Sequence, residues 1–253
     1  MAIKTLSQAP EDNPSQTVRA LLRLREMILD GELPAGERIS EPVVAELTGI
    51  SRTPIRTALV RLQEEGLLDP IRSGGFRVKS FSLDEICDAI EVRGTLEGLA
   101  ARLAAERGVA PELIDALRAC TRDIDAALDA STELSDERFT AYVEANARYH
   151  ALLEQACASE VVQRQLERCK ALPFASPNAF LRVQAVSPDA LLTLQIANAQ
   201  HCAVIEALAA REGSRAEALM REHTRIARRN LETTLANPQI KALVPGASLI
   251  VTR

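Results

Sequence analysis

The chain has 253 residues, a formal net charge of −5, 3% aromatic residues and no tryptophan. That length accommodates two modest domains, each with its own core, while the acidic balance argues against a protein that coats nucleic acid through charge alone. No run of ~18 apolar residues occurs, so no membrane partner is expected, and an abundance of Ala, Leu, Glu and Arg points to a mainly α fold. Residues 1–15 mix charge, proline and polar groups and read as a disordered tail rather than a secretory signal. The five cysteines, Cys87, Cys120, Cys157, Cys169 and Cys202, are scattered without a C-x-x-C pair. They read as reduced thiols, in keeping with a cytoplasmic protein.

A first helix is expected over residues 17–30, where Val18, Leu21, Leu22, Leu24, Met27 and Ile28 supply an apolar stripe. Gly31 ends it, and Pro34-Ala35-Gly36 turns the chain. A short helix over 41–47 follows, entered through Ser40 as cap and Pro42 in its first turn. Gly49 suits the left-handed backbone that closes a helix, and Ser51 stands where the next cap belongs. The helix over 52–65 keeps Ile55, Ala58, Leu59 and Leu62 on one face, leaving Arg52, Thr53 and Arg56 at its start, away from that face or at its edge. Segments 67–72 and 75–79 alternate well enough for a β-hairpin, with Ser73-Gly74-Gly75 as its turn. Helix, tight turn, helix and hairpin in that order are the plan of a winged helix-turn-helix DNA reader. The local charge agrees: residues 51–79 hold six basic residues (Arg52, Arg56, Arg61, Arg72, Arg77, Lys79) against three acidic ones (Glu64, Glu65, Asp69).

Beyond a junction at 80–83 the pattern becomes wholly helical, over approximately 83–107, 111–130, 136–157, 159–171, 187–211 and 214–236. The expected division is thus a tail at 1–15, a winged helix-turn-helix domain at 16–79, a linker at 80–83, a helical bundle at 84–236 and a C-terminal tail at 237–253. All three histidines, His150, His201 and His223, fall in the bundle. Asn146 shares a helix face with His150, Asn198 with His201, and Asn230 with His223. Three imidazoles from three helices could suit a divalent ion such as zinc; periodicity does not say that they converge, and spacing alone favours separate core or surface side chains. Arg93 has two readings as well, a pocket cation or a surface i,i+4 ion pair with Glu97.

The run Ile50-Ser51-Arg52-Thr53-Pro54-Ile55-Arg56 resembles the start of the recognition helix in GntR-type bacterial transcription regulators, matching at seven consecutive positions. That resemblance implies DNA contacts by Ser51, Arg52, Thr53 and Arg56, with Arg72, Gly74 and Gly75 in a wing that approaches the backbone. Many relatives carry Arg where this chain has Pro42, which bears on base preference. Asp88-Ala-Ile-Glu-Val-Arg93-Gly-Thr-Leu-Glu97, Asn146-Ala-Arg-Tyr-His150, the stretch from His201 to Leu208 and the stretch from Ala218 to His223 resemble the FCD effector domain of the FadR-like branch. In that family an all-helical bundle encloses a cavity, often with a metal held by an Asp or Asn and three His. The resemblance places Asn146, His150, His201 and His223 at those positions, and Arg93, Asn146, Asn198 and Asn230 are the candidate effector contacts. Asn146, where many relatives have Asp, is a weaker donor to a cation. Within the branch the likeness is greatest to repressors that answer aromatic acids such as vanillate.

The function expected from this reading is a repressor that binds a palindromic operator as a homodimer and is released by a small carboxylate. The rival is a metal-dependent enzyme built on the three histidines. It lacks the Glu-x-x-His pairs of di-iron bundles, H-E-x-x-H, a phosphate loop and a nucleophile elbow.

Overall fold

The computed structural model describes residues 15–129, 135–171, 174–177, 190–236 and 244–251. The expectations for residues 1–14, for the break at 131–134, for most of the stretch from Pro173 to Pro188 and for residues 237–243 lie outside the described residues. The chain divides into two compact units, Met1–Lys79 and Ser80–Arg253.

In the first unit, α1 (Gln16–Leu29) begins at Ser15, whose hydroxyl accepts from the Val18 amide, and buries Ala20, Leu24, Met27 and Ile28. Helix α2 (Glu41–Thr48) ends at Gly49, whose φ of 68° is the left-handed conformation expected of it. Helix α3 (Arg52–Glu64) buries Ile55, Ala58, Leu59 and Leu62, the predicted stripe. Ser40 and Ser51 do occupy the cap positions of α2 and α3, yet neither side chain makes a capping hydrogen bond. The wing carries one more strand than the hairpin read from sequence. Strands β1 (Arg38–Ile39), β2 (Leu68–Pro70) and β3 (Phe76–Val78) form an antiparallel sheet in the order β1-β3-β2. A two-residue strand is too short to show alternation; it is held because Gly36 N–H donates to the Val78 carbonyl and Val78 N–H to the Glu37 carbonyl.

The second unit begins inside the expected linker. Phe81–Ser82 is a strand, β4, paired in parallel with β5 (Ile250–Val251) from the far end of the chain. Ser82 also opens α4 (Leu83–Arg107) through a capping box: its hydroxyl accepts from Glu85 N–H while the Glu85 carboxylate accepts from Ser82 N–H. A segment that pairs and caps at once cannot serve as a slack connector. Then come α5 (Pro111–Ala127), α6 (Asp136–Ala156), α7 (Glu160–Ala171), α8 (Ala190–Ala209) and α9 (Gly213–Ala236).

The bundle core is a cluster of Ala101, Ala104, Leu117, Tyr149, Leu153, Val204, Leu208 and Met220, supplied by α4, α5, α6, α8 and α9. Truncating one of its leucines to alanine is expected to cost about 2–5 kcal/mol. Helices α4 and α9 approach closely at two glycines of α4. A Cβ at Gly94 would meet Thr224 Cβ at 2.9 Å, and one at Gly98 would meet Arg221 Cγ at 2.7 Å. Missing side chains at these positions let α9 sit low enough on α4 to bring His223 and Thr224 to the level of Arg93 and Glu97.

Candidate functional site

Two sites take shape, one in each unit. In the first, Ser51, Arg52, Thr53 and Arg56 are all exposed at the N-terminal end of α3. Arg56 is engaged: its Nε and Nη2 donate to Oε1 and Oε2 of Glu41 on α2, at 2.7 and 3.0 Å. This hydrogen-bonded pairing lowers the Glu41 carboxyl below its ordinary value, outweighing slight desolvation. In the wing, Gly75 is demanded twice over. Its φ is +85°, and a Cβ there would lie 2.8 Å from the Ile39 carbonyl oxygen. Arg72 and Gly74 are exposed beside it. Arg38 of β1, missed in the sequence, donates from Nη2 to the Gly74 carbonyl at 2.9 Å and fixes the turn. Its only signal was its place in Glu37-Arg38-Ile39, which does not resemble a strand until its partner is known.

The second site is buried. Arg93 and Glu97 come from α4, Asn146 and His150 from α6, His201 from α8, and His223 with Thr224 from α9; all are at most 9% exposed. One nitrogen from each of the three imidazoles lies within 4.8 Å of the others. His201 Nε2 and His223 Nε2 are 3.1 Å apart, and His223 Nδ1 is 3.2 Å from Gln200 Oε1. Tyr149 stacks on His201 with ring centroids 3.9 Å apart and donates its hydroxyl to the His201 carbonyl. Burial, with His223 and His150 nearby, pushes the His201 imidazole well below its ordinary value. Burial and His150 bring His223 down to about 3. Both rings are therefore neutral near pH 7, the form that donates a lone pair to a metal.

Two nitrogens each ~2.0–2.1 Å from one ion stand roughly 2.8–3.4 Å apart for angles between right and tetrahedral. The 3.1 Å separation therefore suits shared coordination, as does the buried His150 Nε2, which has no hydrogen-bond partner. A cavity of about 30 Å³ adjoins the cluster, lined in part by Arg93, Tyr142, Asn146, His150, His223 and Asn230. It has room for about one water or ion. Arg93 Nε is buried there without a hydrogen-bond partner.

The structure thus brings together Arg93, Asn146, His150, His201, His223 and Asn230 but not Asn198. The Asn198 amide donates to the Thr121 carbonyl and to Asp125 Oδ1 of α5, at 3.0 and 2.6 Å, and its side chain does not line the cavity. The surface reading of the Arg93–Glu97 pair is corrected: the side chains are 3% and 1% exposed. Glu97 was missed as a site residue because an i,i+4 Arg–Glu spacing resembles a solvated pair. Its Oε1 lies 3.2 Å from His150 Nδ1 and 4.0 Å from Arg93 Nη1. Burial alone would raise this carboxyl, but Arg93, His150 and His223 together bring it to about 2.

Comparison with known proteins agrees with both halves of this architecture. Residues 16–78 match the family of bacterial regulatory proteins of gntR type, and residues 88–225 match the FCD domain. Over 131 residues the chain is 31% identical to the HTH-type transcriptional regulator YdhC of Bacillus subtilis (strain 168), covering 52% of this chain and 56% of that protein. It is 26% identical over 209 residues to the HTH-type transcriptional repressor GlaR of Escherichia coli (strain K12), covering 79% of this chain and 88% of the repressor. The solved structure of E. coli McbR/YncC has the same fold, with a TM-score of 0.59 at 19% identity, covering 88% of this chain and 99% of that one. No helix among the described residues is long and apolar enough to cross a membrane. These relatives are regulators rather than enzymes, and the chain belongs to the GntR family of transcription regulators, as a member that carries an FCD effector domain.

Proposed function

We propose that the protein is a ligand-responsive repressor that binds a palindromic operator as a homodimer and is released by a small carboxylate. The observation that carries the ligand response is the buried cluster of three imidazoles beside Arg93, whose Nε has no hydrogen-bond partner. Glu97 Oε1 is 4.0 Å from Arg93 Nη1, which leaves the guanidinium Nε beside the cavity to receive an anion. In this reading His150, His201 and His223, with the Asn146 side-chain carbonyl, hold a divalent transition metal such as zinc. When bound, that ion supplies a positive, Lewis-acidic docking point for the acid. Arg93 and Asn230 orient the carboxylate, and Tyr149 holds the His201 ring by stacking.

The DNA half works through α3. Arg52 and Arg56 read base edges in the major groove while Ser51 and Thr53 position the helix on phosphates. Arg56 must leave Glu41 to do so, and the wing with Arg72, Gly74 and Gly75 lies along the backbone. Release follows from size. Among the described residues the cavity is about 30 Å³, smaller than an organic acid, so in this reading the acid displaces part of its lining. That lining includes α4, which starts at Leu83, directly after the unit boundary at Lys79. The acid must favour the DNA-incompetent arrangement to lower operator affinity. Charge sets the class as small carboxylates, the aromatic acids included.

Selecting binders from a randomised duplex pool tests the first half: enrichment of an inverted repeat supports a dimer on a palindrome, and no enrichment sinks the operator reading. The metal-loaded protein is then screened against aliphatic and aromatic acids by thermal shift. An acid that raises the Tm and releases the selected duplex supports the ligand response. A full panel without effect removes it.

A further inference from the structure

The metal reading of the three histidines leaves a charge problem that the donor set does not solve, and the following inference rests on that reading. Three neutral imidazoles and one amide oxygen bring no negative charge to a dication. Arg93, 3% exposed, adds another positive charge at the same place. The carboxylate in contact with this group is Glu97, itself 1% exposed. Its Oε1 is 3.2 Å from His150 Nδ1, on the opposite side of the ring from Nε2, and its Oε2 is 3.3 Å from Thr224 Oγ1. In the structure Glu97 Oε1 and both ring nitrogens of His150 lack a formed hydrogen bond, although all three are buried. Such a set is one proton and one ion short of being satisfied.

We propose that Glu97 is a positioning residue for a divalent metal. It accepts a hydrogen bond from the His150 Nδ1–H, which fixes the tautomer that leaves the buried, unpartnered Nε2 lone pair for an ion. It also supplies the negative charge that lets Arg93 and a dication share a buried site. The contact made by Glu97 is to the far edge of a ligand ring, and its second oxygen lies 3.3 Å from Thr224 Oγ1, whose proton it shares with the Met220 carbonyl at 3.1 Å, so it acts through His150 rather than as a ligand. With the ion at +2, Arg93 at +1 and Glu97 at −1, a positive site remains for an incoming anion. A purely structural pair with Arg93 would leave the His150 approach without purpose.

The test uses the full chain, stripped with a chelator and titrated with zinc against a chromophoric competitor, with cobalt(II) absorption as a second readout. Glu97→Gln is expected to weaken zinc binding roughly 10–100-fold while leaving the cobalt band positions unchanged. Glu97→Asp, which keeps the charge, recovers most of that loss, and His150→Ala alters the cobalt spectrum or abolishes binding. Wild-type affinity in Glu97→Gln overturns the proposal. So does a Glu97→Asp variant as weak as Glu97→Gln, or a Glu97→Gln spectrum changed in the manner of His150→Ala, which would make Glu97 a ligand. If wild type takes up neither metal, the metal reading itself fails and this one with it, an outcome distinct from failure in the variant alone. Should Glu97→Gln not fold, imidazole nitrogen NMR of the zinc-loaded wild type decides: a protonated His150 Nδ1 supports the proposal, and a bare one overturns it.

Discussion

The two units solve opposite problems with the same kinds of side chain. In the first, arginines and hydroxyls stand exposed on one short stretch of chain and wait for a partner to bury them. In the second, an arginine, a glutamate and three histidines are already buried, drawn from four helices, and each must find its partner inside the protein. An exposed set costs the fold almost nothing and can be altered residue by residue. A buried set is coupled, so removing one member leaves another without a partner.

The largest expected effect tests that coupling. If a metal is bound at ~1,000 times its dissociation constant, it stabilises the folded chain by about 4 kcal/mol, so chelation should lower the Tm of the bundle by roughly 8–16 °C. His150→Ala should abolish this metal-dependent shift in scanning calorimetry. A bundle with the same Tm with and without chelator would break the comparison at its strongest point.

Acid gives the next effect, in the metal-free protein. The folded His223 takes a proton only near pH 3, whereas in the unfolded chain it does so near the ordinary imidazole value of 6.5. Between those values the unfolded chain binds more protons, so stability rises with pH and falls on acidification. Going from pH 7 to 4 should remove about 3 kcal/mol through this one group. Glu97 has the same sign over a lower window, from the ordinary carboxyl value of 4.5 down to about 2, where its stabilisation is lost as the carboxylate protonates. Urea denaturation of the metal-free chain at pH 7, 5.5 and 4 checks this; a flat profile would mean that these groups are less buried than the structure has them.

Changes in the first unit should be smaller and confined to DNA. Arg52→Ala is expected to cost specific binding ~1–3 kcal/mol in fluorescence anisotropy while leaving the thermal unfolding of the bundle alone. Glu41→Gln is the smallest case. Freeing Arg56 and removing an acid near DNA should raise affinity for selected and random duplex alike, by less than ~5-fold and more at low salt. A variant with lower affinity would show that Glu41 aims Arg56 rather than restrains it.

The contrast also explains what was legible in the sequence. The DNA reader was visible because its signals are contiguous: Gly49 for the turn, Ile50 to Arg56 for the helix start, and Gly74-Gly75 for the wing. What escaped there was β1, two residues whose pairing with β3 comes from distant chain. In the bundle, helix positions followed from periodicity, and His150 with Asn146 shared a face as expected. Convergence of the three histidines is a tertiary fact that no local pattern encodes. Glu97 escaped for a sharper reason. Its spacing from Arg93 is that of many solvated pairs, and only the close seating of α9 on α4 makes it an interior residue. Asn198 erred the other way: it shares a face with His201, yet Asp125 and the Thr121 carbonyl occupy its amide.

That close seating carries a consequence for how the protein tolerates change. At Gly94 the space for a methyl group is already filled by the Cβ of Thr224, which has no flexible end to swing aside. A methyl there is a wedge driven into the seam from outside the pocket, and it pushes on the residue whose hydroxyl lies against Glu97. Under the proposed ligand response, its loss or its permanent adoption is therefore open to variants that leave every contact side chain intact, and a search for them should begin along the seam between these two helices rather than in the pocket.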